Sequence, residues 1–377
     1  MDNKNIIHAQ QGEDIEFYKQ IADLLAAARK YAKRQLDVTI TATYFEVGRM
    51  IVERQQQGEK RAKYGTLLIK GLSEYLTELY GRGFSITNLK NIRKFYQTYS
   101  LQKGQTMSAL FENDNSLMKI FDKNTEKGQM LSAQFNLSWS HYQSLMRVKN
   151  EDARCFYEIE AASQQWSFKQ LNRQIGSSLY ERLALSRDKD SVMELANKGD
   201  TVEKPSDIFR KPYILEFTGL EERSEYSETQ LEKALIGNLQ KFLLELGKGF
   251  LFEARQKRFS FEEKSFYVDL VFYNRLLRCY VIIDLKVDEL NHRDLGQMLM
   301  YVNYFDRHVR LDSENPTIGI LLCSQKNDNI VELTLPKDSN IYASEYSLYL
   351  PDKALLQQKL AEWVEEFEET QEAEIEG

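Results

Sequence analysis

Two aspartates and one lysine interrupt the most apolar text of the chain, in Phe266-Tyr-Val-Asp269-Leu-Val-Phe-Tyr273 and Cys279-Tyr-Val-Ile-Ile-Asp284-Leu-Lys286. Both runs are rich in β-branched and aromatic residues, and the polar Asn274, Arg275 and Arg278 between them mark a hairpin. If the connection runs from Asn274 to Cys279, Tyr273 faces Tyr280 and Asp269 falls opposite Asp284. Opposed residues share one face of a sheet, with Cβ atoms roughly 4.5–5.5 Å apart. Lys286 lies on the same face as Asp284, and Leu285 points the other way into the core. Carboxylates this close repel, and one keeps its proton unless a cation sits between them. Mg²⁺ suits such a pair, because it takes one or two carboxylates and completes its octahedron with water and phosphate oxygens. Lys286 could orient or deprotonate a water there, or balance charge on a phosphorane. The bland alternative is a strand-end ion pair of Asp284 with Lys286 beside a satisfied Asp269. On spacing alone the two readings stand level.

The residues around these three carry a resemblance. Asp269 followed by the strand ending in Asp284-Leu-Lys286 resembles the PD-(D/E)XK nuclease core. The text Phe-Tyr-Val-Asp-Leu-Val-Phe-Tyr-Asn, Val-Ile-Ile-Asp-Leu-Lys and Leu-Gly-Gln-Met-Leu-Met-Tyr-Val-Asn is similar to the YhcG-type branch, in which a helical N-terminal domain precedes that core. The likeness extends to Trp139-Ser-His-Tyr and Trp166-Ser-Phe-Lys-Gln-Leu-Asn-Arg-Gln-Ile. Two departures stand out: Asp284 occupies a position more often Glu, and no Pro precedes Asp269. The resemblance implies Mg²⁺-dependent hydrolysis of phosphodiesters, with Mn²⁺ as a substitute, leaving a 5′-phosphate and a 3′-hydroxyl. It implies Asp269 and Asp284 as metal ligands and Lys286 as the group assisting water. Gln297 would orient the attacked phosphate or its water, and Glu232 would be the acidic residue that the first helix of the fold sends toward the metal. A capping role for Glu232 in the first turn of its helix competes with that assignment.

These residues need a scaffold. A chain of 377 residues with 42% hydrophobic and 28% charged residues reads as two soluble globular domains. No apolar run approaches the ~20 residues of a membrane helix, and the first residues lack a secretory pattern, so a cytoplasmic protein with no membrane partner is expected. Cys155, Cys279 and Cys323 have neither disulfide nor zinc spacing, and the four histidines are not in ligand spacing. The net charge of −7 is concentrated in the tail, where eight glutamates and no Lys or Arg lie between Glu362 and Glu376. Basic residues elsewhere can therefore gather against phosphates. The acidic tail, 361–377, reads as a solvated helix end; a DNA-mimicking role is the less favoured alternative.

Within the expected N-terminal domain, 1–190, residues 15–57 read as long helices, with Ile15, Ile21, Leu24, Leu25 and Ala28 at helical spacing and Arg29, Lys30, Lys33 and Arg34 on the solvent side. The helix through Leu79 is broken at Gly81-Arg-Gly83, and Ser85 or Thr87 caps a second one whose buried stripe is Leu89, Ile92, Tyr96 and Tyr99. Asn88, Lys90, Asn91, Arg93, Lys94 and Gln97 are left to face out, a helix-turn-helix outline suited to nucleic acid. An ordinary helical hairpin explains the spacing as well. Residues 101–131 read as a mobile loop, Trp166–Leu183 as one helix with Lys169 and Arg173 outward, and 186–206 as the linker.

The second domain, 205–360, is expected to fold as an α/β unit of order αβββαβ with a mixed sheet. A Ser227–Gln230 capping box opens a helix that ends at Gly247, and Phe250–Phe259 forms the first strand, from which Arg255 or Gln256 could reach the groove. After Lys286, a helix with Leu295, Met298, Leu299, Val302 and Phe305 inward leaves Arg293, Gln297, Tyr301 and Tyr304 as a polar-aromatic stripe, Arg293 available to nucleic acid. Thr317–Cys323 would run parallel to the Asp284 strand. The expected partner is nucleic acid, DNA foremost, and a homodimer is compatible with it. The rival class is a non-catalytic nucleic-acid-binding or assembly module of a defence or mobile-element system.

Overall fold

A computed structural model describes residues 3–57, 62–112, 135–185, 189–210, 212–220, 226–261, 264–336 and 339–362. The acidic stretch from 363 onward and residues 113–134 lie outside the described residues. The chain divides into two compact units, Met1–Arg154 and Cys155–Gly377.

The first unit is helical: α1 (Asn3–Gln57), α2 (Ala62–Tyr80), α3 (Ile86–Glu112) and α4 (Trp139–Leu145). Its core is aromatic. Phe45, Phe95, Phe135 and Tyr142 are fully buried and meet with ring centroids 5.0–5.7 Å apart, the edge-to-face range in which ring quadrupoles attract. Leu89, Ile92 and Tyr99 are buried as the spacing predicts. Two expectations change here. Residues 101–112 continue α3 instead of entering a loop. The apolar positions Ile15, Ile21, Leu24 and Leu25 on α1 are exposed, and burial along this helix begins only at Val38.

The division falls within α5 (Glu151–Ser163), and the second unit continues with α6 (Phe168–Gly176), α7 (Leu179–Ala184) and α8 (Lys189–Lys198). The expected single helix from Trp166 to Leu183 is broken at Ser177-Ser178, where Ser178 takes φ 52°. Arg173, expected outward, is turned in. It pairs with Glu216 at 3.0 Å and with the fully buried Glu245 at 3.5 Å, and Arg182 reaches Glu245 at 2.7 Å. The two guanidiniums outweigh the effect of burial and hold the Glu245 carboxyl below its ordinary range. The expected linker is likewise structured. It contains α8, and after Gly199 the buried Asp200 carboxylate accepts from Arg210 at 3.0 Å.

The sheet of the second unit follows: β1 (Tyr213–Ile214), α9 (Glu228–Gly237), α10 (Leu239–Leu246), β2 (Phe250–Phe261), β3 (Lys264–Asn274), β4 (Cys279–Leu285), α11 (His292–His308), β5 (Ile318–Cys323), α12 (Asp328–Thr334) and β6 (Ile341–Ser347). The strands form one mixed sheet of order β1-β6-β5-β4-β3-β2, antiparallel from β2 to β4 and parallel from β4 to β1. The αβββαβ order stands, except that the helix ending at Gly247 is interrupted at Asn238. Alternation along the strands divides the core. Phe272, Val281, Ile283, Ile320 and Leu322 pack toward α9 and α10, and Val271, Ile282, Leu321 and Cys323 toward α11. At Gly319 a Cβ would come within 2.7 Å of Met298 Sδ, so only glycine lets α11 lie this close to β5.

Candidate active site

The hairpin register is the one that spacing predicts. Tyr273 pairs with Tyr280 and Leu270 with Ile283, so the next position brings Asp269 opposite Asp284. The turn that sets it is anchored by the buried Asn274, whose Oδ1 accepts from the backbone N–H groups of Leu276 and Leu277 at 3.0 and 3.1 Å. The Asx geometry relieves four turn residues of any ladder and fixes where pairing resumes.

Asp284 is buried at 3% exposure and Asp269 is half-buried. One Asp269 oxygen accepts from Leu285 N at 2.9 Å and the other from Gln256 Nε2 at 2.9 Å. Asp284 has no comparable support. Lys286 Nζ is 3.0 Å from its Oδ2, but outside hydrogen-bonding alignment, and this buried oxygen accepts no hydrogen bond. Burial, with the Asp269 charge second, pushes the Asp284 carboxyl up to about 7. For Lys286, burial opposes the charged form, but Asp284 and then Glu228, 3.5 Å away, outweigh it and hold the ammonium above its ordinary range. The lysine is therefore kept as a cation, which favours charge balancing over proton abstraction.

Three further groups complete the arrangement. Glu232 on α9 is buried and does not meet the aspartates directly. Its Oε2 accepts from the same Gln256 amide nitrogen at 2.9 Å, and Arg255 Nε lies 3.3 Å from Oε1. Gln256 adopts φ 48°, in the left-handed region that a non-glycine residue enters at a cost of roughly 1 kcal/mol or more. In this conformation one amide spans Glu232 and Asp269. Gln297 on α11 donates to the Tyr301 hydroxyl, which donates to Tyr267 O at 2.9 Å, tying that helix to β3 two residues before Asp269. Tyr301 is buried, a correction to its expected place on an outward stripe: its ring is core, and only its hydroxyl belongs to the site. Spacing also missed Glu228, the second carboxylate on Lys286; its position in the first turn of a capped helix carries an ordinary dipole explanation that hides the contact.

The donor set fits a hard divalent cation. Among the described residues no group of three or more His, Cys, Asp or Glu side chains could hold a metal ion. Mg²⁺ needs only one or two carboxylates with water, and a buried carboxylate oxygen that accepts no aligned hydrogen bond, beside a second carboxylate, is a donor pair of that kind.

The N-terminal candidates are placed differently. Asn88 is half-buried, donates to Gly83 O at 2.7 Å, and accepts from Trp139 Nε1 and Gln143 Nε2 at 3.1 and 3.3 Å. Arg93 is half-buried and donates to Gln55 at 3.3 Å, while Lys94 donates to Met146 O at 2.9 Å from an exposed position. The expected outward face is thus partly spent on packing. Lys90 is exposed and Asn91 half-buried; Arg293, in the first turn of α11, is exposed.

Comparison with known proteins agrees with this architecture. Residues 206–361 match the model of the YhcG PDDEXK nuclease domain and residues 20–182 that of the DUF1016 N-terminal domain. The chain is 42% identical over 358 residues to "Putative nuclease YhcG" of Escherichia coli (strain K12), covering 91% of this chain and 93% of that protein. Among solved structures, a repair endonuclease from Pyrococcus abyssi aligns over 35% of this chain and 50% of its own at 19% identity, TM-score 0.25. The EndoMS-dsDNA2 complex aligns over 36% and 51% at 15% identity, TM-score 0.24. This chain thus spans about half the length of either. With both domain models matched in order and a full-length relative at this identity, the chain belongs to the YhcG family, in which a DUF1016 N-terminal domain precedes a PDDEXK nuclease domain.

Proposed function

We propose that this protein is a divalent-metal-dependent nuclease that hydrolyses phosphodiester bonds of DNA, in the cytoplasm, with Mg²⁺ as the natural ion and Mn²⁺ as a substitute. The observation that carries the reading is the convergence of Asp269, Asp284 and Lys286 on one face of the sheet, with a buried Asp284 oxygen that accepts no aligned hydrogen bond. Asp269 and Asp284 would hold the cation. When bound, it supplies a Lewis acid for a phosphoryl oxygen and lowers the pKa of water.

The remaining roles belong to the chain. The Lys286 ammonium faces the charge that grows on the phosphoryl oxygens as a nucleophile enters, where a fixed cation is worth more than in the ground state. Gln297, fixed in direction by Tyr301, presents an amide to the attacked phosphate or its water. Glu232 acts through Gln256, restricting how Asp269 turns. On the helical unit Lys90, with Asn91 beside it, would contact phosphates, and on the nuclease unit Arg293 would; the structural bonds of Asn88, Arg93 and Lys94 leave these three a smaller part. With one site per chain, two copies serve the two strands of a duplex.

The deciding experiment incubates purified protein with plasmid, single-stranded DNA and RNA, with Mg²⁺, with Mn²⁺ and with chelator. Metal-dependent cleavage of DNA is expected. Binding of all three without cleavage under any condition would instead favour the non-catalytic module.

A further inference from the structure

The β2–β3 hairpin runs past the rest of the sheet. β4 pairs with β3 only as far as Leu270 opposite Ile283 and ends at Leu285, and β2 is an edge strand, while the β2–β3 ladder continues out to Phe261 and Lys264. The two faces of this arm differ. Phe259, Phe266 and Val268 pack on the α11 side, Phe259 against the rings of Tyr301 and Tyr304, and Lys257 Nζ lies 5.6 Å from the centroid of the Phe305 ring. The left-handed Gln256 breaks the alternation of β2. Ala254 and Lys257, three residues apart, both lie on the α11 side, so Arg255 and Gln256 both turn the other way, where each meets Glu232 of α9. β3 makes the matching change, with Val268 and Val271 both toward α11. Beyond this point the face turned from α11 carries Arg258, Ser260, Ser265 and Tyr267, and all four are exposed.

We infer that Arg258 and Tyr267 form a subsite for the nucleotide next to the cleaved phosphodiester, Arg258 holding a phosphate and Tyr267 stacking on a base that is not paired. The two are cross-strand partners, and each lies two residues from the proposed cation site, Arg258 from Gln256 and Tyr267 from Asp269, or about 7 Å along the strands. The guanidinium is held without being neutralised. Its Nε and Nη2 donate to Ser265 Oγ at 3.1 and 2.9 Å, and among the described residues it has no carboxylate partner, whereas Arg255 spends its charge on Glu232. A fork oriented by a neutral hydroxyl keeps its charge for a phosphate. The Tyr267 side chain is 48% exposed and makes no ring contact or hydrogen bond among the described residues, while its backbone carbonyl is fixed by the Tyr301 hydroxyl. A free ring on a fixed strand, beside a cation, is a platform for a base whose face is open, and in a duplex each base face is covered by its neighbour. Glu262 and Glu263, in the turn beyond, lie outside the described residues. The inference rests on the proposed nuclease reading for its occupant, and it narrows the substrate to DNA with an unpaired nucleotide beside the cut.

Fluorescence anisotropy of the full-length protein in chelator reads binding apart from cleavage, on a labelled single-stranded DNA oligonucleotide and on the blunt duplex of the same sequence. Tyr267→Thr keeps a strand-forming residue and removes the ring. It should weaken single-stranded binding about 5-fold or more, the lower end for one base stacked on an aromatic ring, and duplex binding far less, and Tyr267→Phe should bind as wild type. Arg258→Ala should reduce the slope of log K against log salt on the single strand by about 0.7, one phosphate contact, and Tyr267→Thr should leave that slope unchanged. Lys264→Ala, which removes an exposed cation from the α11 side of the same hairpin, should change neither quantity. All four variants should melt as wild type does, because these side chains are exposed. Equal losses on single strand and duplex in Tyr267→Thr, an unchanged salt slope in Arg258→Ala, a Lys264→Ala variant that matches Arg258→Ala, or a wild type that binds neither oligonucleotide overturns the subsite. A protein that cleaves DNA with metal while its binding ignores both substitutions keeps the nuclease reading and loses the subsite. One that shows both binding losses and never cleaves loses the nuclease reading and keeps Arg258 and Tyr267 as the nucleic-acid site of a non-catalytic module.

Discussion

The charged residues of the nuclease core and those of α3 had the same standing in the sequence, yet the structure treats them differently. Asp269, Asp284 and Lys286 are driven together on one sheet face, and a buried oxygen of Asp284 faces the Lys286 ammonium at 3.0 Å without accepting an aligned hydrogen bond. Asn88, Arg93 and Lys94 lie on one helix, but each side chain is engaged from outside it: Asn88 by Trp139 and Gln143, Arg93 by Gln55, Lys94 by Met146. Charges kept close at an electrostatic cost point to a function that uses the cost. Polar groups with internal partners are explained by folding alone.

The sharpest way to break this comparison is to remove the carboxylates. Asp269→Asn and Asp284→Asn should each abolish DNA cleavage in Mg²⁺, with metal binding lost in calorimetric titration. Their stabilities should differ. Asp284→Asn removes a charge that burial disfavours and should melt at or above wild type. Asp269→Asn places an amide where both oxygens now accept, from Leu285 N and Gln256, and should lose about 1 kcal/mol. Full activity of either variant would end the metal assignment.

Next in size is Lys286→Met, which keeps much of the volume and deletes the ammonium. A fall of about 10²-fold or more in kcat, with KM changed far less, is expected for loss of a group that acts mainly in the transition state. Equal losses in kcat and in substrate affinity would make Lys286 a phosphate contact.

In the helical unit the expected effects are smaller and of another kind. Asn88→Ala strands the Trp139 N–H and the Gln143 amide and should cost roughly 1–3 kcal/mol in denaturant titration, with DNA affinity following stability. Lys90→Ala should leave stability within about 0.5 kcal/mol and lower the salt dependence of DNA binding by about one phosphate contact. The opposite pattern, affinity lost in Asn88→Ala without loss of stability, would return Asn88 to the surface it was first assigned.

The same contrast explains what could be read from the sequence. In the hairpin, side chains alternate with a period of two and Asn274 fixes the turn, so placing one pair, Tyr273 with Tyr280, places Asp269 and Asp284 as well. Gln256 was legible as a residue that could reach the groove, but not its left-handed backbone, which sets the direction of its amide. In the helices, period 3.6 says which residues share a face and not what that face meets. Trp139 lies 51 residues from Asn88, and Glu245 lies 72 from Arg173, so their pairing depends on tertiary packing that local spacing does not encode. The first part of α1 shows the same limit: spacing marked Ile15, Ile21, Leu24 and Leu25 as one apolar face, and all four are exposed.

The smallest effect tests the site without a substrate. Asp284 has its carboxyl raised from the ordinary 3.8 to about 7 by burial and by Asp269. Between those values the metal-free folded state binds more protons than the unfolded chain, so stability falls as pH rises from about 4 through 7, and levels off above. This is the reverse of the usual carboxylate contribution, which is lost on acidification. Melting curves in chelator should therefore show a component of a few degrees lost between pH 5 and 8, absent in Asp284→Asn. Mg²⁺ competes with the shared proton, so its stabilising shift should be larger at pH 8 than at pH 5. A metal-free wild type whose pH profile coincides with that of Asp284→Asn would mean that the two aspartates do not share the tension on which the comparison rests.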